Sequence, residues 1–232
     1  MELMLRRRIP VNERVASFND SLLGRFEAIP GFLNPSAAGQ RSGLVTTTAD
    51  GPSGLPLSPY LSKPFKGQIQ YGVRCINSVL EDKQKSDDFV TIVGPQVSMS
   101  ELISLSIGEL LAAFSAYYAC LITNEDVFVS DYKRLSDIQL ANRPAADKRH
   151  YAGRIWPLVY LDDLLCQRTF RLDAAEVVAR AARVCEKTEI VNGGALIHFT
   201  SNPVSSPREL KRVHTTVMTA VAPEQQDLVE TT

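Results

Sequence analysis

Ile190-Val191-Asn192-Gly193-Gly194-Ala195-Leu196-Ile197-His198-Phe199 decides the fold class of this chain. Two apolar segments flank Asn-Gly, the residue pair that accepts the positive φ angles of a two-residue turn. The stretch reads as a β-hairpin, with His198 mid-strand as an ordinary structural histidine. On its amino-terminal side, Asp173 and Glu176 cap a predicted helix over about 174–186 that turns Val177, Val178, Ala181, Val184 and Cys185 inward. On its carboxy-terminal side, Ser206, Pro207 and Glu209 occupy the N-cap, N1 and N3 positions of a last helix. Residues 222–232 read as a loose acidic tail.

Further upstream, Ile155 to Leu161 reads as a strand, and Pro157 places it at an edge or a bulge. The adjacent Asp162 and Asp163 are read as the polar end of that strand, because neighbours on a strand point to opposite faces and cannot share a proton or a metal. In the polar stretch 123–149, Val127-Phe128-Val129 is assigned a short strand, Leu135 to Leu140 a helical turn and Pro144 to Arg149 an exposed loop. Ser98 and Glu101 form a capping box ahead of a helix predicted from about Met99 to Leu121. Ile103, Ile107, Leu110, Leu111, Phe114, Tyr117, Tyr118 and Leu121 form its apolar stripe. Before it, Ile69, Tyr71, Val73 and Cys75 alternate with Gln68, Gln70, Gly72 and Arg74, the period of a half-buried strand. Phe89-Val90-Thr91-Ile92-Val93 is a second strand, stopped by Gly94-Pro95. The expected class is α+β, with antiparallel strands and hairpins packed against two or three helices in one globular domain over 63–221.

Residues 1–62 are expected to be a flexible arm. Between 28 and 62 the only charges are Arg41 and Asp50, and Gly51-Pro52-Ser53-Gly54-Leu55-Pro56 is a cluster of breakers. Within the arm, Val15, Phe18, Leu22 and Phe26 share one face of a short helix expected to form on binding.

The composition is that of an ordinary soluble protein: 232 residues, 44% apolar, 22% charged and a net charge of −1. It excludes a wholly disordered chain, a collagen-like chain and a general coat for nucleic acid. Charge is uneven, with nine basic against five acidic residues in 1–74 and sixteen against twenty-one beyond. The basic amino-terminal part suits an anionic surface such as lipid headgroups. No secretory signal is read at the start, and the longest uncharged core stretch, Leu110 to Asn124, is too short to span a bilayer. Cys75, Cys120, Cys166 and Cys185 have no zinc-knuckle spacing and read as reduced, packed thiols. The sequence has no phosphate-cradling loop, dinucleotide fingerprint, His-Glu-x-x-His or Gly-x-Ser-x-Gly. The expectation is a protein without catalytic residues, metal or cofactor.

Taken in order, several segments resemble the matrix proteins of rhabdoviruses. They are Gly67-Gln68-Ile69-Gln70-Tyr71-Gly72-Val73-Arg74 with Asn77, the helix that follows, Tyr151-Ala152-Gly153, Tyr160-Leu161-Asp162-Asp163, and the run from Glu186-Lys187 through the hairpin to Ser201. The resemblance covers roughly residues 65–202. It differs from the family in lacking a lysine-rich arm and a Pro-Pro-x-Tyr motif, for which Pro59 and Tyr60 are a poor substitute, and in extending past residue 202. It implies a viral matrix protein that self-associates under the envelope, condenses the ribonucleoprotein, bridges it to membrane and glycoprotein tail, and drives budding. Its partners would be itself, the nucleocapsid, the glycoprotein cytoplasmic tail and the anionic inner leaflet. Some members of the family also suppress host gene expression through nuclear transport factors. The implied location is the inner face of the virion envelope, with the host cytoplasm, host membranes and host nucleus during infection.

On this reading Arg6, Arg7, Arg8 and Arg14 are the membrane-binding residues, and Phe18, Leu22 and Phe26 the self-association residues. Two other classes compete. Arg208, Lys211, Arg212 and His214 on the last helix suit a nucleic-acid-binding module, and a non-viral adaptor without catalytic activity needs no further feature.

Overall fold

The computed structural model describes residues 1–8, 16–34, 36, 54–74, 86–130 and 154–223, without the side chains of 16–21, 54–55, 71–74 and 86–87. The chain is α+β. The described residues form two compact units, the first within Met1–Arg74 and Asp82–Ala116, the second from Tyr117 onward. The single domain expected over 63–221 spans parts of both units.

The first unit contains β1 (Glu2–Arg7), α1 (Ala16–Glu27), β2 (Gly54–Pro56), β3 (Lys66–Arg74), β4 (Ser86–Val93) and α2 (Gln96–Phe114). Its strands run antiparallel in the order β2-β3-β4-β1. The expected arm is corrected here. Residues 2–7 are a strand, paired with β4 in a register that sets Leu3 opposite Ile92 and Leu5 opposite Val90. Leu3, Leu5, Leu22, Leu23, Phe26, Ile29, Phe32, Leu57, Tyr60 and Leu61 are all buried. These residues are few, but they are placed where they pack, and their burial offsets part of the ordering entropy that the segment's composition counted against it. Phe26 meets Phe32 edge to face at 5.4 Å, and Arg25 Nη1 donates to the Ala113 carbonyl at 3.3 Å, fixing α1 to the end of α2.

Helix α2 is shorter than predicted at its carboxy-terminal end. Ser115 takes a left-handed conformation (φ 54°, ψ 46°), and its N–H donates to the Ala112 carbonyl, which stops the helix. Tyr118 to Leu121, predicted helical, belong to β5 instead. Their aromatic and branched side chains suit a strand as well as a helix stripe. At the other end Pro95 is the N-cap and no side chain caps the helix, so Ser98 and Glu101 form no capping box.

The second unit contains β5 (Tyr118–Ile122), β6 (Leu158–Leu161), α3 (Asp163–Phe170), α4 (Ala174–Ala181), β7 (Lys187–Val191), β8 (Gly194–His198) and α5 (Pro207–Val221), with strand order β5-β6-β8-β7. Residues 125–130 are helical rather than the expected strand, because Asn124 Oδ1 accepts from the Val127 N–H at 3.2 Å and nucleates a turn. The unit's core joins Val159, Leu161, Leu165, Phe170, Val177, Ile197 and Val217. Asp173 caps α4 through the Glu176 N–H, and Ser206 caps α5 through the Glu209 N–H with Pro207 in the first turn, as the sequence predicts.

The hairpin turn sits as expected, with Asn192 at φ 49° and Gly193 at φ 78°. Beside it, a Cβ on Gly194 would meet the Leu161 carbonyl oxygen at 2.5 Å and the Tyr160 hydroxyl at 2.6 Å, whereas nothing approaches one on Gly193. Gly193→Ala is therefore expected to cost about 1–2 kcal/mol, from backbone strain alone. Gly194→Ala adds a steric clash against backbone and is expected to cost more. Urea midpoints of the two variants test the order, and an equal or reversed pair would show that β8 shifts freely against β6.

Candidate functional site

The arginines assigned to the membrane lie mostly inside the first unit. Alternation along β1 sends Arg6 and Arg7 to opposite faces, yet both are buried. The Arg6 guanidinium lies 4.6 Å from the Phe89 ring centre, and that of Arg7 lies 5.2 Å from Phe114 while pairing with the fully buried Asp88. Cation–π contact and a carboxylate replace the water these groups lose. Arg8 is half-buried and Arg14 lies outside the described residues. The membrane assignment of Arg6 and Arg7 is thus corrected: their charges are used in holding β1.

The self-association residues are corrected for the same reason. Leu22 is 2% exposed and Phe26 is 1% exposed, so both belong to this chain's own core. Phe18 lies on α1, and its side chain is outside the described part. Pro59 is exposed, but Tyr60 is buried, with its N–H donating to the Leu57 carbonyl at 2.8 Å. A peptide motif read by a partner must offer its tyrosine, so this pair does not serve as a budding signal.

Several titratable groups of the second unit have structural roles. Asp162 and Asp163 follow directly on the end of β6. They start α3, which the sequence reading missed: Asp162 Oδ1 accepts from the Leu165 N–H at 2.8 Å, and Asp163 Oδ1 accepts from the Ala174 N–H at 2.8 Å. Burial pushes the Cys166 thiol up to about 12 and the Cys185 thiol up to about 11, which keeps both protonated and unreactive. His198 titrates below its usual range, chiefly through burial in β8. His214 does not join the basic set of α5. It is buried, its Nδ1 accepts from the Ile155 N–H at 3.1 Å, and burial, assisted by the Arg154 charge, pushes it down to about 3. Among the described residues, no three His, Cys, Asp or Glu side chains are grouped to hold a metal ion. Cys75, His150 and the segment Tyr151-Ala152-Gly153 lie outside the described residues.

Among the described residues, two exposed helix faces stand out, on α2 and α5. Nineteen residues long with a mean hydropathy of 1.4, α2 is long and apolar enough to cross a membrane. Its stripe, including Leu102, Ile103, Ile107, Leu110 and Phe114, is buried as in a core helix. The opposite side is exposed and carries Val97, Glu101, Leu105 and Glu109, with Val97 71% and Leu105 78% exposed. Ala112 is exposed as well. The signal for this face was present in the sequence: Leu105 lies two residues from both Ile103 and Ile107, about 200° around the helix from the stripe. On α5, Arg208, Lys211 and Arg212 are exposed, while Leu210, Val213, Val217, Met218 and Val221 are buried. Comparison with known proteins found no protein family that matches the chain and no curated protein similar to it.

Proposed function

We propose that the chain is a non-catalytic assembly protein of the matrix kind, one that self-associates beneath an envelope and links a nucleocapsid to an anionic membrane and a glycoprotein tail. The observation that carries the reading is the exposed apolar pair Val97 and Leu105 on α2, an outward-facing surface that a second protein surface would cover. The sequence resemblance to rhabdovirus matrix proteins over roughly residues 65–202 is its other support. The location that follows is the inner face of an envelope and, in infected cells, the cytoplasm, membranes and nucleus.

The test is light scattering of the full chain over a dilution series, with pelleting on phosphatidylserine-containing and on neutral vesicles. Mass is expected to rise with concentration. Pelleting is expected on the anionic vesicles and to weaken with salt, since exposed charges are screened beyond roughly 10 Å at 0.1 M. Changing Arg6, Arg7 and Arg8 together to Ala is expected to lower the melting temperature, because two of these side chains are buried. A chain that stays monomeric and unbound at every salt concentration would move the assignment to an adaptor.

A further inference from the structure

We propose that the chain assembles head to tail, with the acidic ridge of α2 from one copy laid against the basic first turns of α5 from the next. This contact rests on the assembly function proposed above and names the surfaces that would carry it.

Val97, Glu101, Leu105 and Glu109 recur at steps of four, so they form one ridge along α2. All four are exposed, and the two glutamates are the only charged residues on that helix. The ridge is therefore apolar and acidic in alternation, with no basic group of its own. The exposed face of α5 is its complement. Arg208, Lys211 and Arg212 stand at i, i+3 and i+4, which brings them to one side of the helix. The single acid on α5, Glu209, is held by Ser205, its carboxylate accepting from the Ser205 N–H and hydroxyl, both at 2.8 Å, and it also feels the Arg212 charge, which leaves three cations against one acid on these turns.

Spacing supports the match. Glu101 and Glu109 are about 12 Å apart along the axis with Leu105 midway, and Arg208 and Arg212 are about 6 Å apart. Two arginine side chains diverging from adjacent turns can straddle Leu105. Their aliphatic stems would cover its side chain while the guanidinium groups reach the flanking glutamates. Contacts between like faces are disfavoured, because α2 on α2 sets glutamates against glutamates and α5 on α5 sets three cations against three. The favoured contact joins two different faces, so each copy offers one of each to its neighbours, and the assembly closes into a ring or stays open according to the rotation between copies.

The experiment uses three full-length chains: the parent, Glu101→Lys/Glu109→Lys, and Arg208→Glu/Arg212→Glu. Sedimentation velocity is read over a dilution series, with melting curves to establish folding. Each variant alone is expected to stay monomeric at concentrations at least 10-fold above those at which the parent assembles. A 1:1 mixture is expected to regain assembly, because the reversed α2 of one chain now fits the reversed α5 of the other and the unaltered faces still fit each other. Leu105→Gln, which adds no charge, is expected to shift the parent's assembly to higher concentration and covers the case in which a double variant fails to fold. If both double variants assemble like the parent, or the folded mixture stays monomeric, this contact is overturned while the assembly function stands. A parent monomeric throughout overturns both. If Arg208→Glu/Arg212→Glu assembles normally but loses retention of a single-stranded oligonucleotide, the α5 face reads nucleic acid and the proposed contact is wrong.

Discussion

Removing residues 1–8 is expected to abolish the cooperative thermal transition of the first unit. Strand β1 supplies six paired positions along β4, and Leu3 and Leu5 are buried at 0% and 1% exposure. Truncating one such leucine to alanine costs about 2–5 kcal/mol, and removing one partner of a buried ion pair costs about 3–5 kcal/mol. Deletion would remove both leucines and take Arg7 from the fully buried Asp88. The sum reaches the whole stability of a typical domain, about 5–15 kcal/mol. Circular dichroism melts of residues 9–232 against the full chain, with amide exchange at Val90 and Ile92, make the measurement. Two chains melting within a few degrees of each other, with equal protection in β4, would show that β1 is dispensable.

Acidification from pH 7 to pH 5 is expected to destabilise the second unit by about 2 kcal/mol through His214 alone. Burial holds His214 at about 3 in the folded chain, against an ordinary histidine value of 6.5. Below pH 6.5 the unfolded chain takes up a proton that the folded chain refuses, so stability falls as pH falls, and continues to fall until the folded value is reached. Each pH unit inside that window is worth about 1.4 kcal/mol. Three other groups have the same sign of effect. His198 is also lowered and adds to the loss in the same range, whereas Glu186 and Glu209, lowered by hydrogen bonds from Ser201 and Ser205, act only from their ordinary value of 4.5 downward. Comparing parent with His214→Gln between pH 7 and 5 isolates the one group, since glutamine keeps an acceptor for the Ile155 N–H and does not titrate. The urea-derived stability of the variant is expected to be nearly flat across that range apart from the His198 contribution. Parallel curves for the two chains would sink the assignment.

What the sequence made legible was local. Asn192-Gly193, Asp173 with Glu176, and Ser206-Pro207 each specify backbone geometry through their own chemistry, and each sits where predicted. What it hid depends on partners distant in the chain. Nothing around Leu3-Met4-Leu5 announces a strand whose hydrogen bonds come from β4. Arg6 and Arg7 look like exposed charge until Phe89, Phe114 and Asp88 are placed beside them. Tyr118–Ile122 fits either period, and Ser115 decided it by adopting a left-handed conformation that serine does not advertise. The candidate interaction surface was readable in part: α5's cations were identified, but His214 was wrongly grouped with them because a one-residue change of helical position turns a side chain inward.

The pairing of β1 with β4 also governs how the protein is made. Arg7 and Asp88 are 81 residues apart. At the usual synthesis rate of about 5–20 residues per second, β1 waits about 4–16 s for its partner to be translated. Throughout that interval Leu3-Met4-Leu5 is an unpaired apolar strand on the ribosome. Three consecutive arginines directly behind it act as gatekeepers, since their repulsion opposes edge-to-edge pairing between nascent chains. The charge that later disappears into the first unit thus guards the strand before that unit exists.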